Sequence, residues 1–236
     1  MAAAGRRRAR RAPPSNGAVV IVAIDGGVAA GKSAVGRRVA DALGLNFVDS
    51  GLMYRAIARL AAIRHIDPLD SEGVAELAHS ARIRVEGERV WADDEELTDG
   101  IFDASLGEAL TRISATPEVR RALVQQQRRL GKDGVVMVGR DIGTVVFPKT
   151  DFKFFLVASL EERVRRRAAQ FEKRGEVADR EAMRKEVEAR DRADSERSVA
   201  PLRPAPDAIV VATDSLELDD VVNLIVNTVS GRAGAQ

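Results

Sequence analysis

The 236-residue chain contains no cysteine, which removes disulfides, thiolate metal sites and thiol nucleophiles from consideration at once. It has no apolar run approaching the ~18 residues that a membrane-spanning helix needs, and no secretory leader pattern opens it. A cytoplasmic protein without a membrane partner is the expectation. No Asn-Lys-x-Asp occurs, so the base-reading signal of a GTPase is missing. Nor is there a clear hydrophobic strand ending in an acidic Mg²⁺-organising pair, as a motor or helicase would show. Acids are absent from residues 1–12, where Arg6, Arg7, Arg8, Arg10 and Arg11 cluster; without these arginines a formal net charge of +1 becomes net acidic. Residues 1–17 read as a disordered basic tail that touches nucleic acid or an acidic surface, or is simply a flexible terminus. Residues 231–236 read as a second flexible tail, and no specific nucleic-acid partner is expected.

What is present begins with Val19–Ile24, a strand-sized apolar run, followed by Gly26-Gly27-Val28-Ala29-Ala30-Gly31-Lys32-Ser33. Those eight residues satisfy G-x-x-x-x-G-K-[ST] in the required context, a strand before and a helix after. Val35, Val39 and Leu43 at i, i+4 and i+8 line one face of that helix, which should end near Gly44. Glycines let successive N–H groups turn towards a polyanion, the helix N-terminus adds partial positive charge, Lys32 reaches the outer phosphates and Ser33 ligates Mg²⁺. Gly26 to Ala34 is therefore the candidate ATP-binding segment, with Mg²⁺ as cofactor.

Four more core strands follow: Asn46–Val48, Gly134–Val138, Phe152–Val157 and Ala208–Ala212. Charge gathers at their carboxyl ends, at Asp49-Ser50-Gly51 and at Gly139-Arg140-Asp141, where ligands of open α/β sheets sit. The expected fold is α/β, a five-stranded parallel sheet with helices on both faces. Residues 18–65 and 117–230 make its core. Residues 66–116 look like a small insert with a hairpin, Arg82–Val85 against Glu88–Trp91; the two histidines, His65 at its border and His79 within it, lack partners at ligand spacing. Thr116 is expected to cap a helix with Pro117 first, Val119, Leu123 and Leu130 buried, and Arg120 beside that stripe. From Glu161 to Arg197 the chain is helical and charged, broken at Gly175, with Glu181/Lys185 and Glu186/Arg190 as supporting pairs. Arg165-Arg166-Arg167 reads either as a mobile flap over phosphates or as a solvated face. Arg190, Asp194 and Arg197 share one face, as a functional cluster or a surface ladder. Thr213 or Asp214 should cap the closing helix.

Arginines reaching the ligand edge from many elements suit a reaction between two anions, one phosphate held in line with a nucleotide's terminal phosphoryl. The blocks that carry this pattern are Asp25-Gly26…Gly31-Lys32-Ser33, Asp49-Ser50-Gly51-Leu52-Met53-Tyr54-Arg55, Gly139 to Pro148, and Arg190-Asp191…Asp194-Ser195…Arg197…Pro201-Leu202. In order, over about residues 19–229, they resemble bacterial cytidylate kinases, of the phosphate-loop nucleoside monophosphate kinase type. The resemblance implies transfer of the γ-phosphoryl of ATP to CMP or dCMP in pyrimidine nucleotide metabolism, by an enzyme expected to be a monomer. By position it makes Ser50, Tyr54 and Arg55 acceptor-nucleotide contacts, Arg140 the acceptor-phosphate clamp, and Arg120 with Asp141 the readers of the cytosine edge. It places Thr111 near the base and Asp194 on the ribose hydroxyls. Arg190 and Arg197 join Lys32 and Arg140 as the catalytic cations. Residues 66–116 become the monophosphate-binding insert and 166–177 the lid. Two positions depart from the family: Gly27 stands where Pro is usual, which should loosen the loop, and Ile101-Phe102-Asp103 replaces Ile-Arg-Thr.

Two other classes fit part of the pattern. A kinase of the same fold acting on UMP or a non-nucleotide acceptor uses the loop and arginines but leaves Asp141 no base to read. A non-enzymatic nucleic-acid binder would act through the arginine-rich tail.

Overall fold

β1 (Ile21–Gly26) lies at the centre of a five-stranded sheet because its neighbours in space, β6 (Val135–Gly139) and β7 (Phe152–Val157), both pair with it in parallel. β2 (Asn46–Asp49) extends the sheet beyond β6 and β8 (Ile209–Ala212) beyond β7, giving the order β2-β6-β1-β7-β8. The coordinates are those of a computed structural model, which describes residues 19–173, 175 and 177–233. The basic segment 1–17, residues 234–236 and positions 174 and 176 of the expected lid lie outside the described residues.

Alternation explains why each strand reads as continuously apolar. Val22, Ile24, Val136 and Val138 face α1 (Lys32–Leu43) and α8 (Leu218–Ala233), joining Val35, Val39, Leu43, Val221 and Ile225 in one cluster. Ala23, Val135 and Met137, one residue out of phase, face the opposite layer, where Val124, Ile142 and Val146 pack. The inner strands β6, β1 and β7 are covered on both sides, so both sets must be apolar, whereas the edge strand β8 leaves Val210 55% exposed.

The crossovers place α2 (Ser50–Ile63) after β2 and α5 (Pro117–Leu130) before β6. Between them lie α3 (Ser71–Ser80), an antiparallel sheet of β3 (Ile83–Glu86), β4 (Arg89–Ala92) and β5 (Glu95–Glu96), and α4 (Gly107–Ala115). The sequence reading places only the hairpin here. Its partners are Ile83↔Ala92 and Glu86↔Arg89, so the turn is Gly87-Glu88, one residue later than read. Val74, Leu77, Ile83, Val90, Leu110 and Ile113 bury themselves against Leu52, Ile57, Leu60, Val119 and Leu123 of α2 and α5. That shared cluster is what holds these short elements.

α6 (Leu160–Lys173) and α7 (Arg180–Glu196) follow β7. Several local expectations change. Thr116 does not cap α5; its hydroxyl donates instead to Arg112 O at 3.2 Å, and the helix starts on Pro117 alone. Asp214 accepts from Ser159 N at 2.8 Å, at the entry to α6 rather than α8. Thr213 bonds Val157 O and receives Arg166, so neither residue serves the closing helix. Glu186 pairs with Arg167 across α6 and α7 at 2.5 Å, not with Arg190.

Candidate active site

The phosphate loop spans the step from β1 to α1. Gly26 begins it at φ 153°, and a Cβ there would stand 2.4 Å from Leu156 O, so β7 approaches too closely for any side chain. Gly31, at φ 90°, delivers the chain into α1 in the left-handed region. Lys32 is buried, with 8% of its surface exposed, and Nζ donates to Gly27 O at 2.6 Å. Burial, reinforced by Arg140, pushes its ammonium down to about 7. Ser33 Oγ donates to Asp49 Oδ2 at 2.6 Å, while Asp49 Oδ1 accepts from Gly51 N at 3.0 Å and so caps α2. A hydroxyl and a carboxylate thus meet where the loop enters its helix, hard oxygen donors of the kind Mg²⁺ takes.

Asp25, the last side chain of β1 before the glycines, is buried. It accepts from Ile142 N and Gly143 N at 2.8 Å each, and burial pushes its carboxyl up to about 6. Those N–H groups open a single wide turn, Ile142–Val146, in which Phe147 N reaches Ile142 O at 2.7 Å. Such wide turns recur at functional sites. Here the turn fixes the exit of β6 and therefore the direction of Arg140 and Asp141.

Beyond β6 the charged groups separate into two nests. In the first, Asp194 of α7 is buried among three guanidiniums. Arg140 Nε lies 2.8 Å from it, Arg190 Nε 3.6 Å and Arg197 Nη1 3.6 Å. Against the cost of burial, these cations hold Asp194 below the usual carboxylate range. One carboxylate cannot neutralise three guanidiniums, so the nest keeps a net positive charge. Arg190 also reaches α4, donating to Thr111 Oγ1 at 2.8 Å and to Ser114 Oγ at 3.3 Å. Burial lowers the pKa of Arg55, Arg190 and Arg197 from the ordinary guanidinium value. All remain cations, in a site that favours an anion.

In the second nest Arg120 and Asp141 form an ion pair, with 4% and 5% of their side chains exposed. Arg120 also donates to Ser114 O at 2.8 Å, and its guanidinium lies 5.2 Å from the Tyr54 ring. Burial pushes the Tyr54 hydroxyl up to about 12, keeping it neutral. Ser50 Oγ, buried under Gly139, donates to Val138 O at 2.9 Å. Arg55 donates to Ile101 O at 3.3 Å, and its guanidinium lies 5.1 Å from the Phe102 ring.

The candidate site residues therefore fall into the phosphate loop and two adjoining nests, with Arg55 apart from both on Ile101 and Phe102. Ser114 joins the nests, its hydroxyl to Arg190 and its carbonyl to Arg120. The three arginines of α6 diverge. Arg165 pairs with Glu162 at the surface; Arg166 bonds Glu162 and Thr213; Arg167 turns to Glu186. They make neither a single flap nor a uniform solvated face. Sequence reasoning named Asp25 and Asp49 within its blocks but gave them no role, and it missed Ser114 and the contact of Arg163 and Asp191 with the loop. Only Asp49, ending a strand two residues before a helix-opening glycine, carried a local signal.

The cytidylate kinase family model matches residues 22–231 of the chain. The chain is 41% identical over 216 residues to the cytidylate kinase of Anoxybacillus flavithermus, covering 89% of this chain and 96% of that protein. It is 41% identical over 218 residues to the cytidylate kinase of Geobacillus kaustophilus, covering 90% and 97%. A bifunctional pantoate ligase/cytidylate kinase of Synechococcus sp. (strain JA-3-3Ab) is 43% identical over 225 residues, 91% of this chain but 42% of that protein. The chain spans about two fifths of the length of such bifunctional relatives.

Proposed function

Because the chain belongs to the cytidylate kinase family, we propose that it transfers the γ-phosphoryl group of ATP to CMP or dCMP, producing ADP and CDP or dCDP. The observation that carries this reading is the pairing of a phosphate loop with an arginine nest around Asp194 and, beside it, the buried Arg120–Asp141 pair. Two anionic ligands have a place, and a carboxylate stands where a base could be read.

ATP lies with its phosphates in the loop Gly26–Ala34. Lys32 exchanges Gly27 O for phosphate oxygens, and the anion restores the positive charge that burial disfavours. Ser33 with Asp49 would hold Mg²⁺, which would supply positive charge to offset that of the phosphates. Arg55 and Arg140 take the acceptor phosphate. Arg190 and Arg197 neutralise charge spreading over the transferred group, so Arg190 must leave Thr111 and Ser114 to act. CMP then draws on Thr111 as its cation departs. Asp141 accepts from the exocyclic amine of cytosine, which uracil lacks, and its ion pair with Arg120 aims that carboxylate. Ser50 and Tyr54 floor the acceptor site, and Asp194 accepts from the ribose. Transfer is in-line with no covalent enzyme intermediate and no strong general base, since the acceptor is already an anion. Closure of the α6–α7 region excludes water.

The test is an ADP-release assay with ATP and Mg²⁺ against CMP, dCMP, UMP, AMP and GMP. Turnover confined to the cytidine pair is the expected result; comparable turnover of UMP would remove the base-reading role from Asp141. No described helix is long and apolar enough to cross a membrane.

A further inference from the structure

Both main-chain polar groups of Val28, in the middle of the phosphate loop, are held by side chains from outside it. Val28 N donates to Asp191 Oδ1 at 3.0 Å. Arg163 Nη1 donates to Val28 O at 3.3 Å and to the other oxygen of Asp191, closing a ring of three partners. The two side chains come from different helices, Arg163 from α6 and Asp191 from α7, and no other side chain among the described residues bonds the amide of Val28. Gly27 leaves them room: a Cβ there would stand 3.0 Å from Arg163 Nη1 and 3.1 and 3.3 Å from the Asp191 oxygens. One turn further along α6, Arg166 lies 3.5 Å from Ala30 O.

We propose that Asp191 and Arg163 are positioning residues of the ATP site, which set the path of the loop at Gly27–Val28 so that the following N–H groups converge on the nucleotide's phosphates. The inference rests on the reading of the loop as the ATP site. A loop that enters through two glycines has no stiffness of its own at that point, so the ring supplies the restraint. Because Asp191 already occupies the Val28 N–H, that group is not a phosphate donor. The phosphates belong to Ala29–Ser33 and to the start of α1. The pair is mostly buried, with 13% and 23% of its side chains exposed, so breaking it from one side also costs stability. Its role in the loop is therefore read in the ATP affinity of the folded variants, measured below their melting midpoints. Asp191 also stands between Arg190 and Asp194 on α7, so the helix that carries the acceptor-side nest is the one that grips the donor loop.

The experiment is calorimetric titration of the full chain with ATP and Mg²⁺, beside steady-state kinetics, for Asp191→Ala, Asp191→Asn, Arg163→Ala and the Asp191→Ala/Arg163→Ala double variant. Loss of a charged hydrogen bond predicts an ATP Kd raised about tenfold in each alanine variant. Asp191→Asn, which keeps an acceptor for Val28 N, should recover part of that loss. The double variant should be no weaker than the worse single one, since the ring is already broken, and the KM for CMP should stay within about twofold. An Asp191→Ala protein that folds and binds ATP within about twofold of wild type overturns the proposal, as does a KM for CMP that rises in step with that for ATP. Should Asp191→Ala fail to fold, unchanged ATP affinity in both Asp191→Asn and Arg163→Ala overturns it equally. A wild-type chain that binds ATP but does not phosphorylate CMP sinks the functional reading while leaving the comparison of ATP affinities intact.

Discussion

Removing the carboxylate of Asp141 should separate two effects that the structure joins. Arg120 and Asp141 are both almost wholly buried and form an ion pair with each other. Asp141→Ala leaves a guanidinium in a low-dielectric site with Ser114 O as its remaining hydrogen-bond partner. Breaking a buried pair from one side costs about 3–5 kcal/mol, because the surviving charge keeps its desolvation penalty without its partner. At roughly 2–4 °C per kcal/mol for a chain of this size, the melting midpoint should fall by about 6–20 °C. Arg120→Met/Asp141→Ala removes the orphaned charge and should recover most of that loss, since an apolar replacement of a buried pair is often neutral. Base discrimination should not recover with it. A hydrogen bond to a charged group is worth about 1.5–3 kcal/mol, so the preference for CMP over UMP in kcat/KM should fall roughly 10- to 100-fold in both variants. Thermal unfolding and paired CMP and UMP kinetics on the same preparations read both effects. A single variant as stable as wild type would refute the burial argument. A double variant with wild-type base preference would refute the base-reading one.

Three further predictions follow from other parts of the site. Gly26→Ala should lower the melting midpoint and abolish ATP binding, since its Cβ would stand 2.4 Å from the main-chain oxygen of Leu156 and β1 would have to part from β7; calorimetry and a melt check this. Phe102→Ala should raise the KM for CMP about two- to fivefold with that for ATP unchanged, as an exposed cation–π contact of the Arg55 kind is worth about 0.5–1 kcal/mol. Lys32, with its pKa lowered from 10.5 to about 7, holds fewer protons folded than unfolded between those values. Its contribution to the stability of the nucleotide-free protein should therefore rise with pH across that window; Lys32→Met should flatten the slope in pH-dependent unfolding and lose turnover.

What was legible in the sequence was whatever a short range determines. The phosphate loop and its strand–helix context, the five apolar strands and the break near Gly175 depend on neighbours a few residues apart, and each stands in the structure at the expected place. The strand order was not legible, because parallel pairing of β1 with β6, more than a hundred residues later, leaves no local mark. α3 and α4 were hidden for another reason. They bury only Val74, Leu77, Ala78, Leu110, Ile113 and Ser114, too few for a clear period, and are stabilised by α2 and α5. Thr213 and Asp214 looked like caps because their residue types favour that role, yet the groups that claim them, Val157 O, Ser159 N and Arg166, come from the carboxyl end of the neighbouring strand β7, the turn after it and α6. The candidate site follows the same division. Arg190, Asp194 and Arg197 could be grouped as one face of α7, whereas the ring on Val28 and the approach of Arg140 to Asp194 exist only once α6 and α7 fold back on the sheet edge.

The account turns on where the terminal phosphoryl group of ATP goes. ATP labelled in its γ-phosphate, incubated with CMP, Mg²⁺ and the full chain and then quenched, gives a direct answer. The label should appear in the β-phosphate of CDP, in a one-to-one ratio with ADP and with none retained on the protein. Label released as inorganic phosphate at the rate of ADP formation, or bound covalently to the chain, would contradict direct in-line transfer to a cytidine acceptor.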